Sequence, residues 1–226
     1  MRLGPKTSPA PFFPCSTKRK NGLPVNSTLY PADITVSMKK LLFVIILVLA
    51  GNSLYANDTQ FGLDSNTAFY EGENLSYIMT PPDHYRLVIH QAKEDGYSFA
   101  FIPDDALYDS SDVIIGIHIY KIRGMSFRQA LVEDTTAIRS YFGPNLVLNP
   151  VESLKNGDNR TLTTFYLDNK EMFIPNVMIS YFDGGPEMII FELVITDQVP
   201  RFKAEDMYVD CIKRFKTLKK GELGMR

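Results

Sequence analysis

The 226-residue sequence has no tryptophan, 2 cysteines, 3 histidines and no apolar run longer than the ten residues Leu41–Ala50. Each scarcity excludes something. Cys15 lies near the start and leaves Cys211 alone beyond residue 56, so no intramolecular disulfide can staple that part of the chain. A core of about 170 residues needs no staple, since it buries roughly 70% of the surface that its unfolded chain exposes. Ten apolar residues at a rise of about 1.5 Å cover about half of a hydrocarbon core roughly 30 Å thick, so Leu41–Ala50 is too short to span a membrane as a helix. No Gly-x-Ser-x-Gly elbow, His-Glu-x-x-His, Cys-x-x-Cys, phosphate-cradling glycine loop or EF-hand spacing occurs. With 14 glycines, 14 prolines, 45% apolar and 22% charged residues, the composition is globular and excludes collagen, coiled coil and wholesale disorder.

The formal charge of -2 hides an asymmetry. Residues 1–56 hold seven basic groups and one acid, Asp33, leaving 17 basic against 25 acidic groups in residues 57–226, a balance of -8. An acidic body excludes nucleic acid as the expected partner, because that affinity comes from Lys and Arg displacing counterions from the phosphate backbone.

Met38-Lys39-Lys40, the apolar run Leu41–Ala50 and Gly51-Asn52-Ser53-Leu54-Tyr55-Ala56 form the three regions of a secretory signal peptide. Cleavage is expected after Ala56, although Leu54 is large for its position; cleavage after Ser53, with Gly51 behind it, is the alternative. Asn52 follows Gly51 where the bacterial lipoprotein route needs Cys. Residues 1–37 carry six of the 14 prolines and no sustained apolar period. They read as a start assigned too far upstream, and otherwise as an extended leader or disordered tail. The expected location is therefore exported, periplasmic or secreted, with no stable membrane anchor after cleavage.

Residues 57–73 are polar and read as a flexible lead-in, with one domain over 74–226. Short strands are expected at Asn74–Thr80, Tyr85–Ile89 and Tyr97–Ile102, the last stopped by Pro103, and a polar turn at Gln91–Gly96. Val113–Tyr120 is dense in β-branched residues with both faces largely apolar, which predicts a central strand covered on two sides. Ser126 and Gln129 form a capping box opening a helix over 126–142, stopped by Gly143-Pro144. Strands are expected at Leu146–Ser153, Thr161–Leu167, Met172–Phe182 and Glu187–Ile195, the last two joined by the turn Asp183-Gly184-Gly185. From Pro200 to Leu218, apolar residues recur at three- and four-residue steps, which predicts an amphipathic helix with Cys211 on its buried stripe. The class is α+β, an antiparallel sheet covered by helices.

The aromatic strand Phe99-Ala100-Phe101-Ile102-Pro103, the strand Val113–Tyr120, the helix, the meander through Met188–Ile195 and the terminal helix ending at Ile212-Lys213-Arg214-Phe215-Lys216 together resemble the PsbP-type α/β/α sandwich. That fold is shared by the extrinsic photosystem II subunit, a nuclear-import Ran-binding factor and many exported bacterial proteins of unknown role. Many members place a tryptophan after the first strand, where this chain offers Tyr85. The resemblance implies a binding or assembly module without catalysis and carries over no functional residue.

Of the three histidines, His118 is the candidate for chemistry. It lies in the strongest strand beside Tyr120, and Glu192 joins them if their strands adjoin, so an imidazole there could act as a base or ligand. The competing role is a histidine hydrogen-bonded within the core. His84 and His90 fall at turns and are expected to face solvent. Asp104, Asp105, Asp109 and Asp112 place four carboxylates in one loop that could hold calcium, against the ordinary role of a solvated acidic loop. Cys211 could be a nucleophile but is expected to be a buried inert thiol. Lys213–Lys220 reads as cations gathered at a helix C-terminus. Asn57, Asn74 and Asn159 begin glycosylation sequons.

These observations lead to an exported binding or assembly module with no catalytic residue and no cofactor, acting on an unidentified protein or small molecule. One alternative is an exported hydrolase or metal-dependent enzyme using His118. The other is an envelope lipid or lipoprotein-trafficking accessory with an apolar groove between sheet and helix. N-terminal sequencing of the exported protein should begin near Asn57; a product starting at Met1 contradicts the leader reading.

Overall fold

The computed structural model describes residues 66–171 and 173–219. The leader 1–37, the signal segment 38–56 with both cleavage sites, the sequon at Asn57 and the tail from Lys220 lie outside the described residues.

The strands are β1 (Ala68–Glu71), β2 (Leu75–Met79), β3 (Tyr85–Val88), β4 (Phe99–Pro103), β5 (Val113–Lys121), β6 (Leu146–Pro150), β7 (Leu154–Lys155), β8 (Thr161–Asn169), β9 (Asn176–Asp183), β10 (Glu187–Ile195) and β11 (Lys216–Lys219). The helices are α1 (His90–Glu94), α2 (Phe127–Phe142) and α3 (Arg201–Arg214), with a 3-10 turn at Tyr108–Ser110. One sheet runs β3-β4-β5-β10-β9-β8-β6 with β7 on β8, and a smaller one runs β1-β2-β11. Every pairing is antiparallel.

β5 and β10 are central because both of their faces are apolar; all nine residues of β10 are buried. The two faces meet different cover. Val113, Ile115, Ile117 and Ile119 join Ile189, Phe191 and Leu193 under α3, which contributes Ala204, Tyr208, Cys211 and Ile212. The small sheet shares this core through Tyr70, Tyr77 and Met79, and Phe215 binds the two by lying against the rings of Tyr77, Phe182 and Phe191. On the opposite face α2 sets Ala130, Leu131 and Ile138 on Met188, Ile190 and Tyr181. Ala92 of α1 packs there with Tyr97, Ala100 and Ile114. The fold is α+β, an antiparallel sheet with helices on both faces.

Local chemistry sets the boundaries. Ser126 Oγ accepts from the Gln129 amide at 3.3 Å while Gln129 Oε1 accepts from the Ser126 amide at 2.9 Å, closing the expected capping box. The β9–β10 turn puts Gly185 at φ 85, where glycine carries no Cβ penalty. Glu187, fully buried, accepts from the Glu73 amide at 2.7 Å and from Tyr77 Oη at 3.3 Å, fixing the β1–β2 turn to the large sheet.

Four expectations are corrected. Ordered structure begins inside the 57–73 lead-in, because Ala68 and Tyr70 enter the core and β1 pairs with β2. The polar turn at 91–96 is mostly the short helix α1, which buries only Ala92. β9 begins at Asn176 rather than Met172, just after Pro175, which has no donor for a ladder. The terminal helix stops at Arg214 rather than Leu218, since Phe215 turns extended and Lys216–Lys219 completes the small sheet against β2.

Candidate functional site

The polar centre of the molecule arises from one face of β5. Strand alternation points Ile114, Gly116, His118 and Tyr120 toward the α1/α2 side, and the β10 register sets Glu192 opposite Gly116 and Ile190 opposite His118. Glu192 and His118 are thus diagonal neighbours across the ladder. Gly116 is required here: a Cβ at this position would lie 2.1 Å from Cε1 of Tyr97, whose ring crosses the strand at that point. α1 delivers that ring, its C-terminal turn passing through Gly96 at φ 78 and the Tyr97 amide donating to the Ala92 carbonyl at 2.9 Å.

Glu192 is enclosed by donors. Asn176 Nδ2 donates to Oε2 at 2.9 Å and Tyr97 Oη to the same oxygen at 3.3 Å, while His118 Nε2 stands 3.5 Å from Oε1. His118 Nδ1 lies 3.1 Å from the Gly96 carbonyl and 3.3 Å from Tyr120 Oη. A carbonyl only accepts, so the Gly96 contact places a proton on Nδ1, while Nε2 is buried without a hydrogen-bond partner. The imidazole is also clamped between rings, with centroid separations of 4.5 Å to Tyr97 and 5.5 Å to Tyr120. His118 and Glu192 are each 3% exposed. Burial and the adjoining Glu192 carboxylate push the Tyr97 hydroxyl well above its ordinary value, so it stays a donor.

α2 adds a second carboxylate. Asp134 sits on the inward stripe of the helix with Leu131 and Ile138 and accepts from Tyr181 Oη at 2.6 Å. Burial, reinforced by the Glu192 charge and opposed by the Tyr181 hydrogen bond and by His118, raises its carboxyl to about 6.

Of the sequence candidates, His118, Tyr120 and Glu192 are brought together. Asp104, Asp105, Asp109 and Asp112 are all exposed, and Asp112 is occupied by the Thr196 hydroxyl at 3.0 Å. Among the described residues no three His, Cys, Asp or Glu side chains are grouped to hold a metal ion. His84 and His90 face solvent, and burial pushes the Cys211 thiol far up, as suits an inert core residue. Sequence reasoning missed Tyr97, Asn176, Asp134 and Tyr181. Two signals were available: a glycine inside a β-branched strand marks a close approach, and Asp134 interrupts an apolar helical stripe.

No protein-family model and no curated protein sequence matches the chain. Its structure is similar to a solved one. The solution structure of cyanobacterial PsbP (CyanoP) from Synechocystis sp. PCC 6803 is 10% identical, with a TM-score of 0.42, over 72% of this chain and 99% of that one.

The raised carboxyl of Asp134 has a sign in stability. Its folded value of about 6 stands above the roughly 3.9 of an unfolded chain, so the native state binds the proton more tightly between these values. The stabilisation is complete below pH about 4 and is lost as pH rises through about 6. Asp134→Asn should remove this fall, read as urea midpoints across pH 4–7; an unchanged slope contradicts the assignment.

Proposed function

We propose that the protein is an exported binding or assembly module that acts on an unidentified partner without catalysis. The sealing of its best catalytic candidates carries this reading. A general base must come within about 3 Å of the proton it takes, directly or through one water. His118 Nδ1 is instead engaged by Gly96 and Tyr120, Glu192 Oε2 by Tyr97 and Asn176, and His118 Nε2, which has no hydrogen-bond partner, is buried facing Glu192 behind aromatic rings. A polar cluster buried and cross-linked in this way favours one core arrangement and leaves no catalytic atom facing solvent. Export is supported by the Met38–Ala56 pattern, and among the described residues no helix is long and apolar enough to cross a membrane.

The convergence of His118, Tyr120 and Glu192 favours one other reading, an exported hydrolase in which α1 moves aside to admit substrate to the imidazole. The two readings separate on one residue. His118→Ala should cost about 3 kcal/mol of stability, because it opens a cavity between the Tyr97 and Tyr120 rings and takes away the side chain facing Glu192 Oε1, read as the urea midpoint. His118→Gln, which keeps a donor for Gly96 or Glu192, should recover part of that loss. A His118→Gln variant that keeps full stability yet abolishes turnover of nitrophenyl ester or phosphate substrates overturns the binding-module reading.

A further inference from the structure

The sheet order decides which loops share an end. β4 ends at Pro103 and β5 begins at Val113, β10 ends at Ile195, and β8 ends at Asn169 before β9 begins at Asn176. Loops 104–112 and 196–200, with residues 170, 171 and 173–175, therefore emerge side by side from neighbouring strands about 5 Å apart. They are stitched together: the Thr196 amide donates to the Asp112 carbonyl at 3.0 Å, and the Ile195 amide to the Pro175 carbonyl at 2.9 Å.

This end carries an uneven share of exposed apolar surface. Among the described residues six large hydrophobic side chains are exposed, and four of them lie here. Leu107 is 73% exposed and Phe202, at the start of α3, 63%; Phe173 precedes β9, and Val147 stands on β6 where it pairs with the end of β8. Single exposed apolar residues are ordinary, whereas a group of them on adjoining loops marks a contact surface. The same loops present Asp104, Asp105, Asp109, Asp112, Glu171 and Asp197, all exposed, against Lys170 and the Arg86 guanidinium, which reaches from β3 to donate to the Ala106 carbonyl at 2.8 Å. Arg201 and Lys203 in the first turn of α3 are matched by Glu205 and Asp206 in the next residues.

We propose that this end is a docking surface for a basic, apolar segment of a partner protein, which buries leucine- or phenylalanine-sized side chains on Leu107, Phe173 and Phe202 while its lysines or arginines face the carboxylates. Charge complementarity selects this occupant: an anionic lipid surface or a nucleic acid meets the same carboxylates as repulsion. The proposal rests on the reading of the protein as a binding module and names the chemistry of its partner.

The test is a fluorescence-anisotropy titration of the full chain with a short labelled peptide of leucine and lysine, with a leucine–glutamate peptide of the same length beside it. The leucine–lysine peptide should bind, with affinity falling as salt rises, and the leucine–glutamate peptide should not. Leu107→Ser combined with Phe202→Ser should weaken binding at least about tenfold while leaving the urea midpoint unchanged, since both sites are exposed. Val132→Ser, at an exposed site on the outer side of α2, should change nothing. The proposal is overturned if the leucine–lysine peptide fails to bind, if the double variant binds it equally well, if the two peptides bind alike, or if vesicles of anionic phospholipid are preferred. Any of these leaves the non-catalytic reading intact, because that reading fails separately, on turnover that depends on His118.

Discussion

A carboxylate in the middle of a β-sheet has to be paired, and the arrangement around Glu192 meets that demand. Moving an isolated ion from water into a protein interior costs several kcal/mol even after relaxation, far more than one ordinary hydrogen bond returns. Glu192 is accommodated by two donors from separate parts of the chain, Asn176 from β9 and Tyr97 from the turn after α1, with His118 of β5 facing its other oxygen at 3.5 Å. Gly116 makes the meeting possible by leaving room for the Tyr97 ring at the point where the register sets Glu192. The position of α1 follows from the same demand, since that short helix carries the ring and the Gly96 carbonyl that orients His118.

The two faces of the sheet consequently differ in kind. Toward α3 the contacts are apolar and aromatic, with the Tyr208 hydroxyl donating to the Phe191 carbonyl at 2.9 Å and Phe215 uniting helix, large sheet and small sheet. Toward α1 and α2 the core is divided, an apolar cluster under each helix with the Glu192 network between them. Asp134 and Tyr181 tie α2 to the edge of that network. Apolar packing alone tolerates many side-chain arrangements of the right volume, whereas a hydrogen-bonded centre admits one, so the polar face fixes the register that the apolar face stabilises.

Strand positions were legible where composition is extreme. Val113–Tyr120 and Glu187–Ile195 carry enough β-branched residues to declare themselves, and the capping box at Ser126 located the start of α2 to within one residue. Local pattern failed where a distant partner decides. Phe215 and Leu218 continue a helical spacing, yet β2 has an open edge beside them and captures Lys216–Lys219 as a strand. β1 is four residues long among polar neighbours and gains its stability from Tyr77 and Met79, which no local window contains. In the polar centre, the strand alternation of His118 and Tyr120 and the interest of Glu192 could be read directly, but Tyr97, Asn176 and Asp134 join them only through register and helix placement.

The closed centre sets the shape of the molecule, and on the proposed reading the loops at its decorated end would meet a partner, as is common where loops are held by a rigid scaffold. The most direct test of the closed centre is acylation of histidines by diethyl pyrocarbonate in the folded protein, followed residue by residue with peptide mass spectrometry. His84 and His90, both exposed, should react while His118 stays unmodified until urea unfolds the chain. Modification of His118 in the native protein at the rate of His90 would mean that the imidazole is open to small molecules, and would contradict a sealed, non-catalytic core.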